Sequence, residues 1–118
     1  AKQMFWENAA VAGTMDIGIY DAYANRLVSL GATTNAGTLQ VANITDTALV
    51  PGLYYAAMLC STIVTQSTWS AAIPSANLRF CGVQQQAVGS ATLPNPATFA
   101  VMAQSFLPMI GISFQATM

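Results

Sequence analysis

Four carboxylates and three cations make up almost all the charge this chain offers for chemistry. Glu7, Asp16, Asp21 and Asp46 stand against Lys2, Arg26 and Arg79, and there is no histidine. Covalent or acid–base catalysis needs a nucleophile beside a base, a carboxylate pair or a metal. Without histidine, and with Lys2 the only lysine, the serines and cysteines lack the groups that normally activate them. A carboxylate pair would have to join Asp16 with Asp21 or Asp46. Asp16 and Asp21 are five apart, so on one continuous strand they face opposite sides. The expected roles are a solvated Asp16 and an Asp21 that caps its turn. Calcium accepts oxygen from scattered positions, but these aspartates lack the alternating spacing of a calcium loop. No cofactor and no metal are expected, and the chain reads as non-enzymatic.

Binding is the alternative to catalysis, and here the aromatics matter. Trp69 lies in a Thr/Ser-rich stretch, Thr65-Gln66-Ser67-Thr68-Trp69-Ser70, with no strand pattern to bury it. Ligand contact, burial between subunits and packing within its own loop all remain open for it. Tyr23 and Trp6 are the residues that would complete a sugar-stacking platform, although most aromatics in a small sandwich belong to its core or its interfaces. Cys60 and Cys81 are 21 apart, which is no metal-ligand spacing. They read as small buried hydrophobes, as a disulfide between neighbouring strands, or as contacts between subunits. The Asn43-Ile44-Thr45 sequon reads as coincidence.

Composition explains why binding takes precedence. Charged residues are 6% of the 118, against about one quarter in an ordinary soluble domain. Ala, Thr, Ser, Asn and Gln stand where lysine and glutamate would normally keep a surface soluble. Such a surface suits a chain packed against copies of itself, because charge is depleted at interface cores. Three cations cannot neutralise a phosphate backbone, so no nucleic acid partner is expected. The hydrophobic fraction of 54% is raised by 21 alanines, and no window offers roughly 18 uninterrupted apolar residues. The closest, residues 48–64, is broken by Pro51-Gly52 and by Cys60-Ser61-Thr62. No membrane insertion is expected. Nor does the amino terminus show a basic region followed by an apolar run, and Ala1 reads as a processed start or the beginning of an excised piece.

The elements that position these residues show period two more than helical periodicity. In Thr14 to Asp21, Met15, Ile17 and Ile19 share one face while Asp16, Gly18 and Tyr20 share the other. Residues 21–25 form a turn, with Arg26-Leu27-Val28-Ser29-Leu30 as the returning strand. A small-residue loop over 31–37 precedes a strand over 39–44, and Pro51-Gly52 turns into Leu53 to Cys60. That run is apolar on both faces, which predicts a central strand buried on both sides. Residues 62–77 form a loop, 78–83 a strand, 97–105 one short helical segment, and 109–115 the closing strand. Seven or eight short strands with frequent turn signals predict an all-β antiparallel sandwich of jelly-roll type, one domain over residues 1–118, whether whole or part of a longer chain.

A longer pattern runs through Phe5-Trp6-Glu7-Asn8, Gly13 to Asp21, Asn25-Arg26-Leu27-Val28-Ser29, Leu39-Gln40-Val41 and Asp46 to Ala56. It resembles a β-sandwich module of tailed-bacteriophage virion proteins, of the tail-fibre or minor structural kind. Their usual form has a D-[VIL]-G-I-Y-D strand, a G-[NT]-R-L-V-S return and an L-x-P-G-x-Y-Y-L-A strand. Ala24 replaces the glycine before Asn25, so a different turn geometry is expected there. The resemblance covers about the first half of the chain, and similar modules are appended to secreted bacterial enzymes. It implies a virion location, a homo-oligomer with three-fold symmetry, contacts with other virion proteins and attachment to host-surface glycan. The alternative it leaves is a carbohydrate- or surface-binding jelly-roll module.

Overall fold

The structure is a computed structural model that describes residues 1–8, 13–34, 36–61, 77–78, 81–86, 88, 90–101, 103 and 107–115. It is all-β. The strands are β1 (Gln3–Asn8), β2 (Thr14–Asp21), β3 (Arg26–Ser29), β4 (Thr33–Thr34), β5 (Thr38–Asn43), β6 (Tyr54–Cys60), β7 (Gln84–Gln85), β8 (Ala100–Val101) and β9 (Ile110–Ser113). One sheet has the order β5-β1-β9. In the other, β3 and β4 follow one another along one edge of β2, and β6 pairs the opposite edge. Every pairing is antiparallel, and β7 with β8 forms a separate ribbon.

Alternation explains how the two sheets meet. Met4 and Trp6 point inward from β1, and Met15, Ile17 and Ile19 point inward from β2, all in one cluster. Tyr54, Met58 and Cys60 of β6 lean on the same cluster. Each fully buried Met or Ile contributes about 1.5–3 kcal/mol, so this layer is the main source of stability. Phe5 faces the other way and lies over Gly111, where an added Cβ would stand 2.2 Å from the ring.

The second face of β2 is also covered. Tyr20 packs with Leu93 and Ala97, and Tyr55, Ala57, Leu59 and Phe99 flank them. β2 is therefore the strand buried on both sides. This corrects the expectation for β6, which pairs only β2 among the described residues and is half-buried. Its two apolar faces lean on the two cores, one on each side of the sheet.

Three further expectations change. No helix forms over the described part of 97–105, because Phe99 packs on Tyr20 and Tyr55 and Ala100–Val101 is a strand. Of the strand expected over 78–83 the described residues show none: Asn77 and Leu78 are helical and residues 81–82 form a turn, with Cys81 N donating to Asn77 O and Val83 N to Leu78 O. The loop over 31–37 contains β4. The β2–β3 turn does not change geometry to suit Ala24: that residue itself takes the left-handed conformation, at φ 66°, that glycine would adopt more easily. The loop expected over 62–77 lies outside the described residues, apart from Asn77. No described helix is long and apolar enough to cross a membrane.

Candidate functional site

The best-defined polar cluster is built on Asp16, and it is structural. Asp16 is 0% exposed. Its two oxygens accept hydrogen bonds from Ser29 Oγ at 2.9 and 2.8 Å, from Gly31 N at 2.9 Å and from Leu93 N at 2.8 Å. A buried carboxylate is tolerable only when its lone pairs are met in this way. The expectation of a solvated Asp16 is thus corrected, because residues 93–99 cover the face that an open two-layer sheet would leave wet.

Around it, the segment from Leu93 is clamped to the β2–β3 hairpin. The Arg26 guanidinium donates to Leu93 O, and the Tyr20 hydroxyl donates to Pro94 O. Asn95 Oδ1 accepts from Arg26 N at 3.0 Å, and Ala97 N donates to Ala24 O at 2.9 Å. Burial pushes the Tyr20 phenol above its usual pKa, the Arg26 cation opposes that shift, and the Asp16 anion adds to it.

The other aspartates lie elsewhere. Asp21 does cap its turn: its carboxylate accepts from Asn25 Nδ2, Asn25 N and Tyr23 N at 2.8 to 2.9 Å. The Asn25 side chain and then its backbone N–H hold its pKa below the ordinary value, desolvation opposes them, and the Tyr23 N–H adds a smaller lowering. Asp46 pairs with Lys2 at 3.3 Å, both exposed. Among the described residues no three His, Cys, Asp or Glu side chains gather as a metal site would require.

The proposed aromatic platform divides. Trp69 lies outside the described residues. Trp6 is 2% exposed, part of the core, with its indole Nε1 buried and without a hydrogen-bond partner among the described residues. It is therefore no surface contact, since alternation on β1 sends it inward beside Met4. Tyr23 is 87% exposed at the β2–β3 turn. Cys60 is half-buried on β6, Cys81 is exposed in the 81–82 turn, and the two are not bonded to one another.

Two surfaces were not evident in the sequence. One is a cleft of about 400 Å³ beside β6, lined by residues 54–59, by 82–86 with Leu107 and Pro108, and by Tyr20, Leu93 and Phe99 of the second core. Tyr55 Oη, on its wall, accepts from Gln84 Nε2 at 3.1 Å. The adjacent tyrosines Tyr54-Tyr55 and the run Gln84-Gln85-Gln86 are its only sequence signal. The second is the outer face of the β5-β1-β9 sheet. There Leu39 and Val41, 57% and 45% exposed, stand opposite Glu7 and Phe5 in the β1–β5 register.

No family model, curated protein or solved structure matches this chain.

Proposed function

We propose that this chain is a non-enzymatic structural module that works by packing against further copies of itself, as a fibre, spike or capsid-decoration component of a tailed-phage virion. One observation carries the reading. The outer face of β5 and β1 presents Leu39, Val41 and Phe5 with a single charge, Glu7, among them. On an ordinary monomer that face would carry lysines and glutamates. Exposed Val50, Leu53, Val101 and Phe114 extend the same character to other parts of the surface. The virion setting rests on the matched segments in the first half of the chain, and repeated subunits there give avidity without any single strong contact.

The test is a Leu39→Lys/Val41→Lys double variant compared with wild type by sedimentation. Dissociation with an unchanged circular dichroism spectrum supports the reading. An association state indifferent to both lysines removes this face from it.

A second reading, a carbohydrate- or surface-binding module, is favoured by Tyr23, whose ring is presented to solvent on a turn held by Asp21. Tyr23→Ala would then abolish binding to bacterial surface glycan and leave assembly intact.

A further inference from the structure

We propose that the cleft beside β6 binds an acetamido sugar, its acetyl methyl on an aromatic floor and its amide carbonyl at a rim of glutamine amides. The inference rests on the binding reading above, and it supplies a ligand class and a place apart from Tyr23.

The floor is fixed by contacts of its own. Phe99 stands edge-on to Tyr20, with ring centres 5.3 Å apart, and lies tilted against Tyr55 at the same distance. Tyr20 is anchored in turn by its bond to Pro94 O, and Leu93 packs beside it. Tyr20, Tyr55, Leu93 and Phe99 all line the cleft. Side chains already held in place lose little further freedom when a ligand binds.

The rim is polar and equally well held. Gln84 Nε2 donates to Tyr55 Oη at 3.1 Å, and Gln86 Oε1 accepts from Thr98 N at 2.7 Å. A backbone N–H can only donate, so Thr98 fixes which end of the Gln86 amide is oxygen. The end that remains for a ligand is NH2, a donor. The Tyr55 hydroxyl accepts from Gln84 and keeps its own proton to give. The rim therefore presents donors.

Donors above an apolar floor call for a ligand with an acceptor beside a compact apolar group. An acetamido substituent is built that way. Its carbonyl oxygen can accept from the Gln86 amide and the Tyr55 hydroxyl while its methyl rests against Phe99 and Leu93. The sugar ring that carries it keeps its hydroxyls toward the open side, where water still reaches them.

Two simpler ligands fit less well. A sugar with only hydroxyls would turn one of them onto the aromatic floor, where it loses water without gaining a partner. A purely aliphatic ligand would cover the glutamine amides without meeting them. The volume of about 400 Å³ lies within the range of about 300–1,000 Å³ usual for small-molecule sites.

The test is a titration of the purified chain with chitotriose and with cellotriose, which differ only in the acetamido group. Chitotriose should shift the side-chain amide resonances of Gln84 and Gln86 saturably, and cellotriose should not. Gln86→Glu keeps an oxygen for Thr98 N but replaces the NH2 donor with a second acceptor. Tyr55→Phe, which keeps the ring on Phe99 and removes the hydroxyl, decides the matter if the first variant fails to fold. Each should retain the melting temperature and bind chitotriose about tenfold more weakly or worse, while Tyr23→Ala leaves that affinity unchanged. Chitotriose binding that Tyr23→Ala removes and the cleft variants spare would overturn the cleft site and leave the binding reading standing. Equal binding of both sugars, or of neither, would overturn the acetamido assignment. If bacterial surface glycan also failed to bind, the reading beneath it would fall as well.

Discussion

The carboxylate of Asp16 and the backbone N–H of Leu93, 77 residues apart in the chain, are joined by a 2.8 Å hydrogen bond inside the protein. That bond ties the central strand of one sheet to the segment that covers it. With Ser29 and Gly31 on the same carboxylate, three parts of the chain converge on one anion. Asp16→Asn would replace one accepting oxygen with an amide NH2, a donor that faces N–H or O–H donors. The expected loss is about 2–4 kcal/mol, seen in thermal melts as a fall on the order of 10 °C. A variant within a degree of wild type would show that the carboxylate does not hold these segments.

Gly18 and Gly111 separate two kinds of close approach. A Cβ at Gly18 would stand 2.4 Å from the Val28 carbonyl oxygen and 2.9 Å from Leu93, and a backbone atom cannot yield locally. At Gly111 the obstacle is the tip of the half-buried Phe5 ring, at 2.2 Å, which can swing outward. Gly18→Ala should cost about 1–3 kcal/mol and Gly111→Ala less than about 1 kcal/mol. Denaturant titrations of both variants would read the difference, and equal costs would contradict the packing described.

Acid should loosen the β2–β3 turn through Asp21. Its folded pKa lies below the ordinary value of 3.8, so its contribution is complete above that pH and is lost as pH falls through the lowered value. The Tyr23 and Asn25 amide resonances should move together with a midpoint below 3.8, and Asp21→Asn should abolish the movement. A midpoint above 3.8 would contradict the capping role.

Alkali should act through Tyr20. Its folded pKa is raised above 10.0, so the unfolded chain releases that proton first. The stabilisation is complete below the unfolded value and disappears as pH rises through the folded one. In a spectrophotometric titration one tyrosine should ionise last, and Tyr20→Phe should remove that step at a cost of about 1 kcal/mol from the lost bond to Pro94.

Local pattern revealed β2 to the residue, the Asp21 turn, the start of β3 and the end of β6, because each is fixed by alternation or by turn chemistry within a few positions. What it did not reveal is which strand lies at the centre. Asp16 and Gly18 look like a wet face, and only contact with residues 93–99 buries them. That contact depends on groups some seventy residues away, such as Leu93 N and Asn95 Oδ1. Trp6 was misleading for a similar reason: as a large aromatic in a charge-poor chain it suggests a binding platform, yet its position beside Met4 on β1 sends it into the core. The cleft was least legible, since its walls come from β6 and from a two-residue ribbon with no periodicity of its own.

The central claim is that this surface exists to meet copies of itself. The most direct test is the mass of the purified chain in dilute neutral buffer, by light scattering after size exclusion. A discrete trimer or larger closed oligomer is the predicted result. A clean monomer of 12.3 kDa that persists as concentration rises would contradict it.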